Sequence, residues 1–291
     1  MTNQNNNHLI VQQSNQLIES RHDLSIIEKK LIHIAIATYD RTGFHNRVEL
    51  KRSELEYHLG FTNYKGFTTQ LKLLATKLMG RVISLPAGNG NFKLSHWLNN
   101  AEYDEKTEVF SFKWDETLSP HIALMKEKFT RFDLQYTMGM QSAYSIRLYE
   151  HLKKDGWQVS LRPARFSLVP GNPDMPYLGD CLGYSGKSYE QWGNVNRRII
   201  SYAVNEINEM SDLDIISVTP LKNGKKVLAI EIKYLKKTKE KLMAVHTIDN
   251  DLETPKPKPK PKTVNAPLKK SKSDNREKVS KSLRDIHATD W

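Results

Sequence analysis

The first regular hydrophobic pattern in the chain starts at residue 24 and has the three- and four-residue spacing of one face of an α-helix. At its start, Ser25 and Glu28 stand three residues apart, which is the sequence pattern of a capping box, where each side chain bonds the other residue's backbone amide. A helix is therefore predicted over residues 24–40. The apolar residues of its face are Leu24, Ile27, Leu31 and Ile34.

The chain continues with a short strand, a short helix, a longer helix and three strands. The short helix ends at Gly60, and the longer helix, over residues 63–79, has apolar positions at helical spacing. In the last strand, Phe110, Phe112 and Trp114 alternate with other residues, so one side of the strand is expected to face a core. A helix, a short helix, a longer helix and a β-hairpin in this order are typical of a winged helix-turn-helix domain.

The same order of elements occurs a second time. A helix over residues 141–156 is followed by a Pro- and Gly-rich stretch and then by a long helix over residues 188–210. Two strands follow, and Asn223-Gly224 between them is a strong signal for a β-hairpin turn. The predicted fold class is α+β, with two tandem winged helix-turn-helix domains.

The composition changes after Tyr234, where alternating Lys and Pro residues replace the apolar pattern. Such a sequence favours an extended polyproline II conformation and builds no core, so a disordered basic C-terminal tail is expected. Residues 276–291 are weakly amphipathic, which fits either a short docking helix or, more simply, a frayed end. The predicted boundaries are 1–22 for a polar N-terminal arm, 23–125 and 130–235 for the two winged-helix domains, and 236–291 for the Lys/Pro-rich tail.

The composition indicates a cytoplasmic protein with an excess of positive charge. One cysteine in 291 residues excludes a disulfide framework and a Cys-based zinc site, and neither a signal peptide nor a membrane-spanning apolar run is recognisable. The formal net charge of +11 favours a polyanionic partner. Residues 236–291 contain 15 Lys and Arg against 8 Asp and Glu, whereas residues 1–235 contain 29 against 25. Nucleic-acid contacts outside the tail must therefore come from local patches.

The sequence Gly186-Lys187-Ser188 raises the alternative of a nucleotide-binding P-loop. A P-loop needs a glycine five positions before Gly186, where this chain has Cys181, and it must follow a buried strand, where this chain is rich in proline. The histidines form no i, i+4 pair around a glutamate of the kind that binds zinc. No catalytic residue, cofactor or metal is therefore predicted, and the chain is not expected to be an enzyme.

The longer helix of the first domain carries a polar face opposite its apolar stripe. Two lysines and two threonines fall on one line of this face, and such side chains suit contacts with phosphates and base edges. An ordinary solvated face explains them equally well. The candidate DNA contacts are Lys65, Thr69, Lys72 and Thr76.

The long helix of the second domain is the stronger candidate, because the N-terminal half of a recognition helix enters the major groove. Arginine binds guanine through two hydrogen bonds, and asparagine can pair in the same way with adenine. On this interpretation Gly186-Lys187-Ser188 opens the recognition helix, while Asn205 and Asn208 cap or turn its end. The candidate DNA contacts are Lys187, Asn194, Arg197, Arg198 and Ser201 on the helix and Lys222, Lys225 and Lys226 on the following hairpin.

Several stretches resemble the replication initiators of iteron-controlled, theta-replicating plasmids. VQQSNQLIES followed by LSIIEKKLIHIAI resembles the opening of that family, and QSAYSIRLYEHLKKDGW resembles the helix that opens its second domain. RRIISYAVNEINEMSDLDI and then KNGKKV are similar to its second recognition helix, strand and wing. The resemblance covers residues 10–235 in the family's order. Arg147 and Tyr149 of the middle motif are expected to be structural, pairing and packing within their own helix.

The resemblance implies a tandem winged-helix protein that binds double-stranded DNA at direct repeats of a bacterial plasmid origin. Monomers would start replication and recruit the host initiator and the replicative helicase. Homodimers formed through the first domain would repress the protein's own gene, and the second domain would make the main DNA contacts. The family's base-contacting basic positions correspond to Lys187, Arg197 and Arg198. A winged-helix transcriptional repressor without an origin role is the alternative, and no membrane partner is expected.

Overall fold

The structure is a computed structural model, and it describes residues 9–39, 46–61, 66–87, 91–123, 125, 127–155 and 161–238. The expectations for the Lys/Pro-rich tail beyond residue 238, including residues 276–291, lie outside the described residues. In the described part of the chain, no helix is both long enough and apolar enough to cross a membrane.

Helices and strands are both present in each half of the described chain. The first half contains β1 (Ile10–Ser14), α1 (Asn15–Glu19), α2 (Ile26–Thr38), β2 (Arg47–Lys51), α3 (Arg52–Leu59), α4 (Phe67–Gly80), β3 (Val82–Pro86), β4 (Phe92–His96), β5 (Leu98–Asp104), β6 (Val109–Trp114) and α5 (Ser119–Ile122). The second half contains β7 (Phe129–Asp133), α6 (Gln135–Met138), α7 (Ala143–Asp155), β8 (Arg162–Ser167), α8 (Leu178–Leu182), a 3₁₀ turn (Lys187–Tyr189), α9 (Trp192–Val195), a π-helical segment (Asn196–Ile200), α10 (Ser201–Met210), β9 (Leu213–Asn223) and β10 (Lys226–Lys236).

The first winged helix consists of α2, α3 and α4 together with a sheet in the order β2-β6-β5. The predicted capping box is present at the start of α2, where Ser25 N donates to Glu28 Oε2 at 2.6 Å and Glu28 N donates to Ser25 Oγ. Gly60 ends α3 in the left-handed conformation, with φ of 68°. Phe112 and Trp114 of β6 are buried, as the alternation predicts. A second hairpin, β3–β4, is inserted between α4 and this sheet.

Residues 10–22, which the sequence suggests are a polar arm, belong to the folded body. β1 pairs antiparallel with β7, so that Ile10 lies opposite Asp133. Val11, Leu17 and Ile18 are buried within the core. The difference arises because these few apolar side chains are separated by Asn and Gln residues, so the segment shows no clear period while still supplying enough apolar surface to pack.

The second winged helix has three strands in the order β8-β10-β9. β8 lies in the Pro- and Gly-rich stretch that the sequence leaves irregular, and it pairs antiparallel with β10. The predicted hairpin turn is present, but Asn223 pairs with Lys226 as the last residues of the strands. The two turn residues are therefore Gly224, with φ of 58°, and Lys225. Glycine at the first of two turn positions is the pattern of a type II′ hairpin.

The long helix expected over residues 188–210 begins later and is not uniform. α9, the π-helical segment and α10 follow one another with helical backbone angles at each junction, and we call residues 192–210 the composite helix. Within it, Ser201 N donates to Asn196 O across a widened turn. Single π-helical turns of this kind occur frequently at functional sites.

Arg147 and Tyr149 of α7 make their hydrogen bonds outside that helix, which corrects the expectation that they pair and pack within it. Arg147 donates through Nε to the Cys181 carbonyl at 2.7 Å and through Nη2 to the Ser20 carbonyl at 2.9 Å. Tyr149 donates its hydroxyl proton to Asp212 Oδ1 at 2.8 Å. Both residues are structural, but they join the N-terminal segment, α8 and the start of β9 to α7.

A buried polar cluster, consisting of Gln13, Lys29, His33 and Glu150, joins β1 and α2 to α7. Lys29 Nζ lies 2.9 Å from Glu150 Oε1, and His33 Nε2 lies 2.8 Å from the same oxygen. Gln13 also donates to this oxygen. All four side chains are buried, although burial disfavours the charged forms of Lys29, His33 and Glu150. The polar side of α2 thus faces α7 and does not face solvent.

Candidate nucleic-acid interface

The composite helix divides into a buried side and an exposed side. Val195, Ile199 and Ile200 pack into the core, while Arg197 and Arg198 are exposed. This arrangement fixes the positions of the two arginines, because the adjacent isoleucines pack the opposite side of the helix against the core. Among the described residues, Arg198 makes no ion pair or hydrogen bond. No described residue therefore occupies any of the five donors of its guanidinium group.

Two other candidates of this helix have contacts within the protein. Asn194 is half-buried. It donates from Nδ2 to the Ser188 carbonyl at 2.8 Å and accepts at Oδ1 from Arg197 Nη2 at 3.4 Å. These bonds hold the preceding turn against the helix, and a pairing with adenine would have to replace them. Ser201 is exposed, with Oγ 3.5 Å from Asn196 Oδ1.

Lys187 does not lie on the composite helix, which corrects the expectation that Gly186-Lys187-Ser188 opens it. Lys187 begins a 3₁₀ turn, and the helix starts only at Trp192. Gly186 has φ of 105°, a conformation that favours glycine. The segment follows α8 and not a strand. Lys187 remains exposed, so a phosphate contact would come from the turn ahead of the helix.

The hairpin after the composite helix carries three exposed lysines. Asn208 joins the helix to β9, because Ile215 N donates to Asn208 Oδ1 at 2.7 Å and Asn208 Nδ2 donates to Ile215 O at 3.2 Å. The expectation that Asn208 caps or turns the helix end is wrong, because Ser211 is the C-cap residue of the helix and the Asn208 side chain instead ties its last turn to β9. Asn205 is exposed. The exposed lysines at the hairpin turn are Lys222, Lys225 and Lys226.

On the first winged helix, Thr69, Lys72 and Thr76 lie on the exposed side of α4. Thr76 Oγ1 donates to the Lys72 carbonyl at 2.8 Å, which leaves its lone pairs for other partners. Leu73 lies among them and is 56% exposed, so this face also has an apolar member that a pattern of polar residues does not reveal. Lys65, the fourth candidate, lies outside the described residues, because the structure describes α4 only from Phe67.

The wings of the two domains carry opposite charge. The turn between β5 and β6 contains the exposed carboxylates Asp104, Glu105 and Glu108 and one lysine, Lys106, and Glu108 also forms an ion pair with Arg52 of α3 at 3.3 Å. Asp104 Oδ1 accepts from Lys106 N at 2.9 Å, which is a turn contact and not an ion pair. An acidic turn is repelled by phosphates, whereas the lysine-bearing turn between β9 and β10 is attracted by them. Sequence inspection could have found this difference, since all these carboxylates and lysines flank predicted turns.

In the described part of the chain, no group of three or more His, Cys, Asp or Glu residues is arranged to bind a metal ion. Cys181 is buried, and burial raises the pKa of its thiol to about 11. The thiol is therefore protonated at neutral pH.

Two family models match this chain, and known proteins are similar to it. The model described as Initiator Replication protein, WH1, matches residues 10–153, and the model described as Initiator Rep protein, WH2, matches residues 178–234. A replication initiation protein of Escherichia coli is 22% identical over a 224-residue alignment, and the match covers 72% of this chain and 65% of that protein. This chain thus spans 65% of the length of that curated relative.

A crystal structure of the Pi initiator protein in complex with iteron DNA has the same fold. It superposes with a TM-score of 0.62 at 18% identity and covers 80% of this chain and 99% of that chain. The WH1 match begins at β1 and ends within α7, so the N-terminal segment is part of the matched body. The prediction of two tandem winged-helix domains is confirmed, and the chain belongs to the initiator replication protein family.

Proposed function

We propose that this protein is a plasmid replication initiator that binds direct repeats at an origin as a monomer, through sequence-specific contacts with double-stranded DNA. The observation that carries the proposal is the exposed face of the composite helix, where Arg197 and Arg198 project from a helix of a winged-helix domain. Arginine side chains in a major groove discriminate guanine from the other bases.

The hairpin lysines support a division of labour within the second domain. Lys222, Lys225 and Lys226 would contact phosphates, which position the protein without specifying sequence. Arg197 and Arg198 would contact base edges. Lys187, in the 3₁₀ turn before the helix, would add a further phosphate contact.

In the first domain, α4 would enter a neighbouring major groove without help from its acidic wing. Thr69, Lys72 and Thr76 would make its contacts, together with Leu73 against thymine methyl groups. Since α4 and the β5–β6 turn offer fewer cations to DNA than the composite helix and the β9–β10 hairpin, the second domain would supply most of the affinity. Two winged helices on one face of B-DNA would lie about one helical turn apart, so a monomer would cover about 20 base pairs.

The regulatory part of the proposal follows the family. Homodimers formed through the first domain would repress the protein's own gene, and DNA-bound monomers would recruit the host initiator and the replicative helicase in the bacterial cytoplasm. The Pi initiator was crystallised with iteron DNA, and a chain of the same family and fold is expected to bind repeats of this kind.

Selection of bound sequences from random duplex DNA by the full chain tests the proposal. Excess non-specific competitor DNA must be present, because the Lys/Pro-rich tail can contribute binding that depends on salt and not on sequence. A matched selection with Arg198→Ala serves as the control for the composite helix. An initiator should recover one asymmetric motif in two blocks about one helical turn apart. A short palindrome alone would favour the transcriptional repressor, and the absence of any enriched motif would contradict sequence-specific binding.

A further inference from the structure

Arg52, the first residue of α3, is a buried cation that joins this helix to the β5–β6 turn. It is 7% exposed. Its Nε donates to Glu56 Oε1 at 2.8 Å, one turn further along α3, and its Nη1 donates to Glu108 Oε1 at 3.3 Å. The Arg52 backbone amide also donates to the Glu108 carbonyl at 2.8 Å. Both the side chain and the backbone of Arg52 are thus bonded to the residue just before β6.

Glu108 has a backbone conformation that is uncommon for its residue type. Its φ is 53°, in the left-handed region that favours glycine. A residue with a side chain stays in this region only where the surrounding structure holds it there, and such residues cluster at functional sites. The two bonds from Arg52 hold Glu108 in this conformation.

The guanidinium group of Arg52 also contacts the start of α4. Its Cζ atom lies 4.7 Å from the centre of the Phe67 ring, within the range of a cation–π interaction. Phe67 is the first residue of α4 and is fully buried. Gly66, the N-cap residue, makes no side-chain capping bond. The first turn of α4 is therefore held by the packing of Phe67 and not by a cap.

Two further rings pack against Phe67. The ring of Phe61, just after α3, lies 5.9 Å from it between centres, and the ring of Tyr103 of β5 lies 5.6 Å from it. The start of α4 is thus fixed against α3 and β5. Arg52 is bonded within α3 and to the β5–β6 turn, and it packs on the start of α4.

The angle of α4 at Phe67 decides how its exposed face meets a major groove. At 1.5 Å per residue, Thr76 lies about 14 Å from Phe67 along the helix, so a tilt of about 10° would move it by about 2 Å. Hydrogen-bond lengths in proteins vary by only about 0.5 Å. A tilt of this size would therefore break base contacts of the exposed face without unfolding the domain.

We propose that Arg52 is a positioning residue for base recognition by α4. It holds the start of this helix at the angle at which the exposed face meets the bases, and Glu108 holds Arg52. The inference rests on the proposed function, because it requires α4 to enter a major groove. It gives the acidic β5–β6 turn a role that needs no contact with DNA.

The test compares the full chain with its Arg52→Met, Glu108→Gln and Glu105→Gln variants in selection from random duplex DNA. Methionine keeps an apolar stem and removes the charge and the donors. Glu108→Gln changes a side chain that is 55% exposed, so this variant should fold even if Arg52→Met does not. Glu105→Gln is the matched control, because Glu105 is an exposed carboxylate of the same turn. Urea denaturation shows which variants are folded under the binding conditions.

The block of the selected motif that α4 contacts is the one that Arg198→Ala leaves unchanged. In this block, Arg52→Met and Glu108→Gln should lower the base preference by about 5-fold, the lower end of what one good base contact contributes. The block of the composite helix should keep its preference. Glu105→Gln should keep both preferences and bind all sequences more tightly, because it removes a charge that repels phosphates.

A Glu108 that acted only through its charge would behave as Glu105 does, and this result would overturn the inference. A purely structural Arg52 would lower stability in urea and leave the preferences of the folded variant unchanged, which would also overturn it while the proposed function stands. If the wild-type motif lacks a second block, α4 contacts no bases and the inference fails. If the wild-type chain selects no motif, the proposed function itself fails.

Discussion

Replacement of Glu150 by glutamine should destabilise the protein strongly, because it removes the anion of the buried polar cluster. Glu150 is fully buried, and Lys29, His33 and Gln13 all bond to its Oε1. Burial acts to raise the pKa of Glu150, but Lys29 and His33 outweigh it and hold that pKa well below its ordinary value. The carboxylate is therefore charged in the folded protein. The glutamine variant leaves the Lys29 ammonium buried without a counter-charge.

The expected loss is about 3–5 kcal/mol of unfolding free energy, the range for removal of one partner from a buried ion pair. Burial lowers the pKa of Lys29 to about 8, and Glu150 keeps it from falling further. In the variant the pKa of Lys29 should fall below its wild-type value. Lys29 of the folded variant therefore loses its proton at a lower pH than in the wild type, whereas in the unfolded chain it stays protonated. Stability of the variant should then rise between about pH 6 and pH 8. The difference in unfolding free energy between the variant and the wild type should become smaller over that pH range.

Urea denaturation of the full chain, followed by circular dichroism at both pH values, measures these differences. Glu49→Gln is the matched control, because Glu49 forms an exposed pair with Arg47 at 3.1 Å and its side chain is 63% exposed. An exposed pair contributes about 1 kcal/mol or less. The reasoning would be refuted if Glu150→Gln lost no more stability than Glu49→Gln, or if the gap to the wild type widened with rising pH.

Four further predictions concern two DNA contacts and two glycines. Arg198→Ala should cost about 1–3 kcal/mol of binding to the selected sequence and relax its preference at one or two positions, and an equal loss on random DNA would exclude a base contact. Lys225→Ala should weaken binding to all sequences and flatten the salt dependence by about one unit of slope. Gly183→Ala should destabilise by about 1–3 kcal/mol, because Gly183 has φ of 78° and an added Cβ would lie 2.6 Å from the His22 carbonyl oxygen. A Cβ added at Gly193 meets no atom within 4 Å, so Gly193→Ala should instead stabilise the composite helix by about 0.5–1 kcal/mol. Denaturation midpoints of the Gly183→Ala and Gly193→Ala variants would measure both effects.

Periodicity and turn chemistry were sufficient to predict most elements of both winged helices. The capping box at Ser25 is present, Gly60 ends its helix, and the hairpin turn is at Gly224. Each of these signals is local, since the residues that cause the structure are within a few positions of it. A local signal can be recognised without knowing what the rest of the chain does.

The features that sequence reasoning missed depend on distant partners. Lys29 and His33 resemble the solvated side of a helix until Glu150 of α7 is placed against them. β8 has a proline and lies in a Gly-rich stretch, yet it forms a strand because β10 offers it an edge to pair with. Arg147 bonds to carbonyl groups far from it in sequence. No pattern within a single segment contains this information.

The composite helix illustrates the same limit at the candidate site. Arg197 and Arg198 were recognised from residue type and position, and the structure exposes both. The sequence around Lys187 continues smoothly into the helix and predicts one element, whereas in the structure Lys187 begins a separate 3₁₀ turn and the helix starts at Trp192.

A hydroxyl-radical footprint of the full chain on its selected duplex, at single-nucleotide resolution, tests most directly whether two winged helices bind one DNA site. The account predicts two protected blocks on one face of the duplex, with centres about 10 base pairs apart, from a complex that contains one protein chain. The block assigned to the composite helix should weaken selectively in Arg198→Ala. A single protected block, or two blocks that appear only when two chains are bound, would contradict the account.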